Sequence, residues 1–406
     1  MIAAVRSATR RLLSLDPQER HVLLARVLQC ANGFLLSIIL VRQYGLAAAG
    51  TYALSSVAIG SLAILCTFGL PYSLARSQAP ISERNALGAA AGLVMAPLAL
   101  PFIALYALSL GSDIDEAAII GAFALSGLFF AQTAIFNALV VLQNRAALSV
   151  LPQAFSALTL LAGAAFTNSL LEFAAAVGLA RTLGLGMCFV LPHSPVNFRS
   201  FFAHARKSSN FVPFELLHLA SDQICTVLLS FVLTRETLGI FGLWRQLFNA
   251  GMLLPSSMIQ AGYPEIVRQP GPTLLHLRRK ISLVSVLSTG ALALVAIPLG
   301  TLVYNAPALP ILTLLLVPCL PLGCLVILYD MGMRALDCVG MMNRIGLLRC
   351  AALFSVVPMA LLGTTGLAIG IDVHTAFSAV VTLRAFAVAA RAGHADIEAK
   401  PVVGNL

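Results

Sequence analysis

Charged side chains are scarce in this chain. Of 406 residues only 41 ionise strongly, 25 basic plus 16 acidic, while 59% are hydrophobic. A soluble globular protein carries about a quarter charged residues to keep its surface wetted, so this chain cannot cover itself in water. Acid is scarcest near the N-terminal end, with no Asp or Glu between Glu19 and Glu83. The eight cysteines include no C-x-x-C pair, and all but Cys338 fall in apolar runs, which predicts packing rather than a disulfide framework or a metal site. There is no Gly-x-x-x-x-Gly-Lys-Ser/Thr loop to cradle a nucleotide and no His-Glu-x-x-His pair for zinc. These absences exclude a secreted enzyme, a cytosolic ATPase and a nucleic-acid-binding domain as the main body, and no nucleic-acid partner is expected.

What the chain has instead is long apolar runs, each about the 20 residues that a helix needs to cross a hydrocarbon layer about 30 Å thick. Read against polar and Pro/Gly breaks, they predict an all-α polytopic membrane protein with spans near 22–41, 46–70, 86–109, 117–142, 147–167, 170–191, 211–233, 238–262, 281–304, 308–331, 344–363 and 365–390. The breaks inside 147–191 and 344–390 are the weakest.

Lys and Arg set the orientation. With the N-terminus in the cytosol, 18 of the 25 bases fall on inside segments, among them Arg84, Arg145, Arg206, Lys207, Arg278 and Arg334, whereas the outside loops hold only Arg42 and Arg235. The outer loop 110–116 carries Asp113, Asp115 and Glu116 and no base. Both termini are therefore expected in the cytosol. The formal charge of +9 then records membrane insertion, or else a basic cytosolic face that also binds anionic lipids. The first 20 residues are amphipathic and basic, without the short apolar core and small-residue site of a cleavable signal peptide.

The longest connections, 192–210 and 264–280, leave no room for a catalytic domain outside the membrane, so no enzyme and no catalytic residue is expected. Chemistry must then lie in intramembrane polarity, because ionisable groups in spans are costly and by default line a cavity or pair with one another. In the first span Arg26, Gln29, Gly33 and Ser37 fall on one helical face, with Asn32 beside them. The seventh carries Glu215, His218, Asp222 and Thr226, and the eighth carries Arg245, Asn249, Met252 and Ser256. Arg26 is close enough to the cytosolic end to snorkel, and Glu215 and His218 are near enough to form a solvated rim. Asp222 is mid-span, out of reach of either end. The candidate binding residues are thus Arg26, Gln29, Asn32, Arg245 and Asn249. The candidate coupling residues are Asp222, Glu215 and His218, serving H⁺ or Na⁺, with no metal site and no other cofactor. Prolines inside the runs, at 97, 101, 152, 255, 298, 318, 321 and 358, predict kinked helices, which are common in alternating-access carriers.

A weak internal repeat divides the chain. Gly50-Thr51-Tyr52-Ala53-Leu54 matches Gly239-Ile240-Phe241-Gly242-Leu243, and Gly69-Leu70-Pro71 leading to Arg76 matches Gly262-Tyr263-Pro264 leading to Arg268. Two copies six spans apart share an orientation, which predicts a parallel repeat of six-helix halves, 1–191 and 211–406, joined by a basic cytosolic linker at 192–210 and enclosing a central cleft.

In these motifs the chain resembles the O-antigen flippase type of polysaccharide exporter in the multidrug/oligosaccharidyl-lipid/polysaccharide (MOP) superfamily. The features are Arg42 to Gly45, Gly50 to Leu54 and Gly69 to Arg76 within residues 26–76, with a counterpart over 238–268. The resemblance implies export of an undecaprenyl-diphosphate-linked oligosaccharide across a bacterial inner membrane, with membrane lipids and other polysaccharide-assembly proteins as partners, and places Arg26 and Arg245 on helices lining the cleft. A multidrug extruder of the same superfamily is the alternative. It typically needs a carboxylate in the N-terminal cavity, and the first two spans have none. A membrane-embedded glycan polymerase or ligase is the third reading, and the short outer loops oppose it.

Overall fold

The computed structural model describes residues 17–399 except 68, 72–73, 75–76, 78, 209–211, 262–265, 267–269 and 337. Most of the basic start, the Pro71–Arg76 end of one repeat motif and the Gly262–Arg268 motif thus lie largely outside the described residues. Within them the chain is helical, and nine helices are long and apolar enough to cross a membrane. The pair Ala308–Leu315 and Cys319–Arg334, bent by 52°, supplies a tenth. Helices Val212–Ser230 and Arg235–Ala261 occupy the seventh and eighth positions. At 19 and 27 residues and about 1.5 Å per residue they are long enough to span, but they carry the polar stripes. Every span read from the sequence therefore coincides with helix.

The weakest sequence breaks are sharp in the structure. Between the fifth and sixth spans a capping box closes the new helix, the Ser169 hydroxyl accepting from the Glu172 amide and the Glu172 carboxylate accepting from the Ser169 amide. Between the last two, Gly363 takes φ +84°, a left-handed turn that a side chain would strain. Prolines differ in effect. Pro318 stands at the 52° bend, where its missing N–H and ring break the ladder. Pro152 sits in the first turn of Val150–Phe166, a position where proline is tolerated.

The chain folds as two compact units, Met1–Leu216 with Thr234–Gly242, and Leu217–Leu233 with Leu243–Leu406. In the first, Leu62, Leu87, Met95, Leu128, Ile135 and Leu139 form one apolar core, and Leu36, Leu40, Phe123, Leu160 and Phe173 another. Residues 192–210, read as a plain linker, contain a helix, Phe198–Ser208. Phe201 and Ala205 enter the first core, while Arg206 and Lys207 stay exposed. In the second unit Met252, Ile259, Ile281, Leu320, Cys324 and Leu328 form the core. Leu105, Phe166, Val190, Leu294 and Leu362 are exposed, the side chains a hydrocarbon solvent would cover.

The segment Thr234–Gly242 joins the first unit through the repeat itself. A Cβ at Gly50 would collide with the Arg235 carbonyl, and one at Gly239 with the Leu46 carbonyl. A Cβ at Gly242 would stand 3.0 Å from that of Ala53. Since Leu46 and Arg235 are matched positions, as are Gly50 and Gly239, the contact is reciprocal, as a two-fold operation would make it. Small residues let the helix backbones approach this closely. Beside this crossing Arg235 binds Glu116 bidentately, Nε to Oε1 at 2.7 Å and Nη2 to Oε2 at 3.1 Å, and donates to the Leu110 carbonyl at 3.2 Å. Thr51 donates to the same carboxylate at 3.1 Å. One of the two bases expected on the outer side thus neutralises an acid of the 110–116 loop.

Candidate functional site

On the first span, Pro17–Ile39, Arg26 is half-buried and Gln29 exposed. Gly33 has open space where a side chain would be. Ser37 is buried and closes its hydroxyl on the Gly33 carbonyl at 3.1 Å. The polar face is therefore open from the N-terminal end of the helix to its middle and closed near the C-terminal end. Asn32 has a packing role that its residue type did not reveal, because its Nδ2 donates to the backbone carbonyl of Gln153 on the fifth span at 2.8 Å.

In the second unit the stripes of the seventh and eighth spans meet. Arg245 Nη1 donates to Thr226 Oγ1 at 3.0 Å, and Thr226 is buried. Asn249, one turn beyond Arg245, is exposed. Met252 leaves the stripe for the core, where the Cys324 thiol contacts its sulfur at 3.3 Å. The backbones of Glu215, His218 and Asp222 belong to the helix Val212–Ser230, with Asp222 one turn before Thr226. Their side chains lie outside the described residues.

Sequence reasoning missed two carboxylates. Asp330 and Arg349 form a buried bidentate pair at 2.9 and 3.0 Å, and Thr382 also accepts from Arg349. This ties together the tenth, eleventh and twelfth spans. Asp372, in the last span, accepts from the Cys319 thiol at 3.0 Å, and Thr375 stands 3.5 Å from the same sulfur. Each of these acids interrupts an apolar run, which is the signal that could have singled them out. Cys319 follows the Pro318 bend, so the kink presents the thiol to the acid.

No protein-family model and no curated protein sequence matches the chain. Solved structures do. A lipid II flippase, MurJ, in an inward closed conformation superposes with TM-score 0.66 at 10% identity, covering 91% of this chain and 87% of that one. The multidrug transporter DinF-BH of the MATE type, in complex with R6G, gives 0.65 at 14%, covering 91% and 95%. A MATE protein in complex with MaD3S gives 0.65 at 13%, covering 94% and 98%. The fold is that of MOP-superfamily transporters. It is a fold of flippases and extruders, and the chain is a multi-pass membrane protein that shares it.

Proposed function

We propose that the protein is a flippase that carries an undecaprenyl-diphosphate-linked oligosaccharide from the inner to the outer leaflet of a bacterial cytoplasmic membrane, with both termini in the cytosol. The observation that carries this reading is a half-buried arginine inside a membrane-length helix of each unit, Arg26 and Arg245. A diphosphate needs cations shielded from lipid, and the guanidinium is permanently charged and shaped to hold phosphate oxygens two at a time. Gln29 and Asn249, both exposed, supply neutral hydrogen-bonding groups for the sugar. The prenyl tail stays in lipid while the head crosses. Asp222 is assigned the coupling role, with Glu215 and His218 at its cytosolic side.

The direct test is a reconstituted one. Proteoliposomes holding the purified chain should move a fluorescent polyprenyl-diphosphate oligosaccharide between leaflets, with a rate that rises under a pH or Na⁺ gradient. Asp222→Asn should keep basal movement and lose the gradient response. Drug extrusion, the activity suggested by the MATE neighbours, predicts the reverse: gradient-driven export of a cationic dye and no glycolipid movement. That outcome would overturn the proposal. Orientation has its own test, because a cysteine placed at Asp113 should react with an impermeant reagent in intact cells, while cysteines at Arg206 and Arg278 should react only after permeabilisation.

A further inference from the structure

We propose that Arg181, with the hydroxyls of Ser126 and Ser156, forms a binding site for a small monovalent anion of the halide class inside the first unit, independent of the transported substrate. Three spans bring these residues together. Arg181 lies about midway along the sixth span, Leu170–Val190, Ser126 about midway along the fourth, Ile114–Leu142, and Ser156 about midway along the fifth, Ala146–Phe166. All three are 2% exposed or less. The fourth and sixth spans are held at backbone contact just above, since a Cβ on Gly178 would collide with the Ala122 carbonyl. The helix also breaks at Leu125, immediately before Ser126.

The cluster has a charge that no anion balances and spare hydrogens that nothing receives among the described residues. Arg181 Nη1 donates to Ser126 Oγ at 3.3 Å and Nη2 to Ser156 Oγ at 2.8 Å. A hydroxyl that accepts from a guanidinium directs its own hydrogen elsewhere, and among the described residues no acceptor pairs with either serine. Arg181 Nε is buried and also without a partner. No carboxylate pairs with Arg181 among the described residues. Among the described residues Tyr52 is the titratable group that feels its charge, and a phenol is neutral near pH 7. Phe129 and Phe130 present ring centroids 5.9 and 5.5 Å from the guanidinium carbon, a favourable but uncharged contact. A lone buried cation is costly even with hydrogen bonds, and the compensation it lacks is one negative charge. A compact monovalent anion supplies that charge and accepts the spare N–H and O–H hydrogens without adding unpaired donors of its own. Every ligand named here comes from one unit.

The test compares anions at fixed sodium concentration. The purified full chain in lipid nanodiscs should melt at a higher temperature in chloride or bromide than in gluconate. The gain should reach about 5 °C near a hundredfold excess over the dissociation constant and rise further only with the logarithm of the halide concentration. Arg181→Gln should abolish the difference between anions. The Ser126→Ala, Ser156→Ala double variant keeps the charge and should weaken halide affinity about tenfold, which preserves the test if the arginine variant fails to fold. A bromide-soaked crystal should show anomalous scattering beside the guanidinium. Equal melting in chloride and gluconate, or a halide gain that survives in Arg181→Gln, would overturn the proposal; the second result would assign the ion to another place.

Discussion

Replacing Arg26 and Arg245 together by alanine is expected to abolish surface glycan display in a complementation assay while leaving protein levels unchanged. Each charge-assisted contact to an ionised phosphate contributes about 1.5–3 kcal/mol. Loss of both amounts to a fall on the order of a hundredfold or more in productive binding. Lysine at either position should be intermediate, because it keeps the charge and loses the two-pronged geometry. Arg245 also holds Thr226, so Thr226→Val is the control. It removes that hydrogen bond, leaves the charge, and should reduce display far less than Arg245→Ala. If Arg26 only snorkels, Arg26→Lys should behave as wild type. If the cargo is an organic cation, removing Arg245 should preserve or improve export by relieving like-charge repulsion. Full glycan display by the double alanine variant would sink the proposed headgroup role and leave both residues as packing elements.

The largest expected effect on stability lies in the second unit. Breaking the Asp330–Arg349 pair by Arg349→Met should cost about 3–5 kcal/mol, because a buried carboxylate would lose its counter-ion and both of the hydrogen bonds that Arg349 donates. The two side chains are only 7% and 5% exposed, so water cannot take over the solvation. The double replacement Asp330→Leu, Arg349→Met should recover most of the loss, since apolar residues of similar volume dispense with both desolvation costs. Thermal unfolding in nanodiscs reads both. A single variant within about 1 kcal/mol of wild type, below the penalty for an unpaired buried ion, would mean that the pair is hydrated or that another group replaces the lost partner.

The spans were legible in the sequence because the bilayer imposes a length and a polarity on every crossing segment. The placement of apolar runs and of Lys and Arg along the chain therefore determined the class, the span positions and the expected orientation. Local chemistry held more than was read from it, since Ser169 and Glu172 mark a helix start at a break that hydropathy left among the weakest. The repeat was visible only as two faint glycine motifs, and the fold shows why those residues match: Gly50 and Gly239 each make room for the other copy's backbone. Side-chain roles were decided by tertiary structure. Asn32 and Gln29 read alike as polar residues on one helix, yet Asn32 is committed to a carbonyl 121 residues away while Gln29 remains exposed. Met252 has the spacing of a polar stripe and packs in a core. Arg181, Arg245 and Arg349 are each an arginine inside an apolar run, and only their partners separate them: two serines and two rings for the first, a threonine for the second and an aspartate for the third. Hydropathy reports the cost of placing a charge in the membrane at each position along the chain. What offsets that cost comes from residues distant in sequence, so it is fixed only when the helices pack.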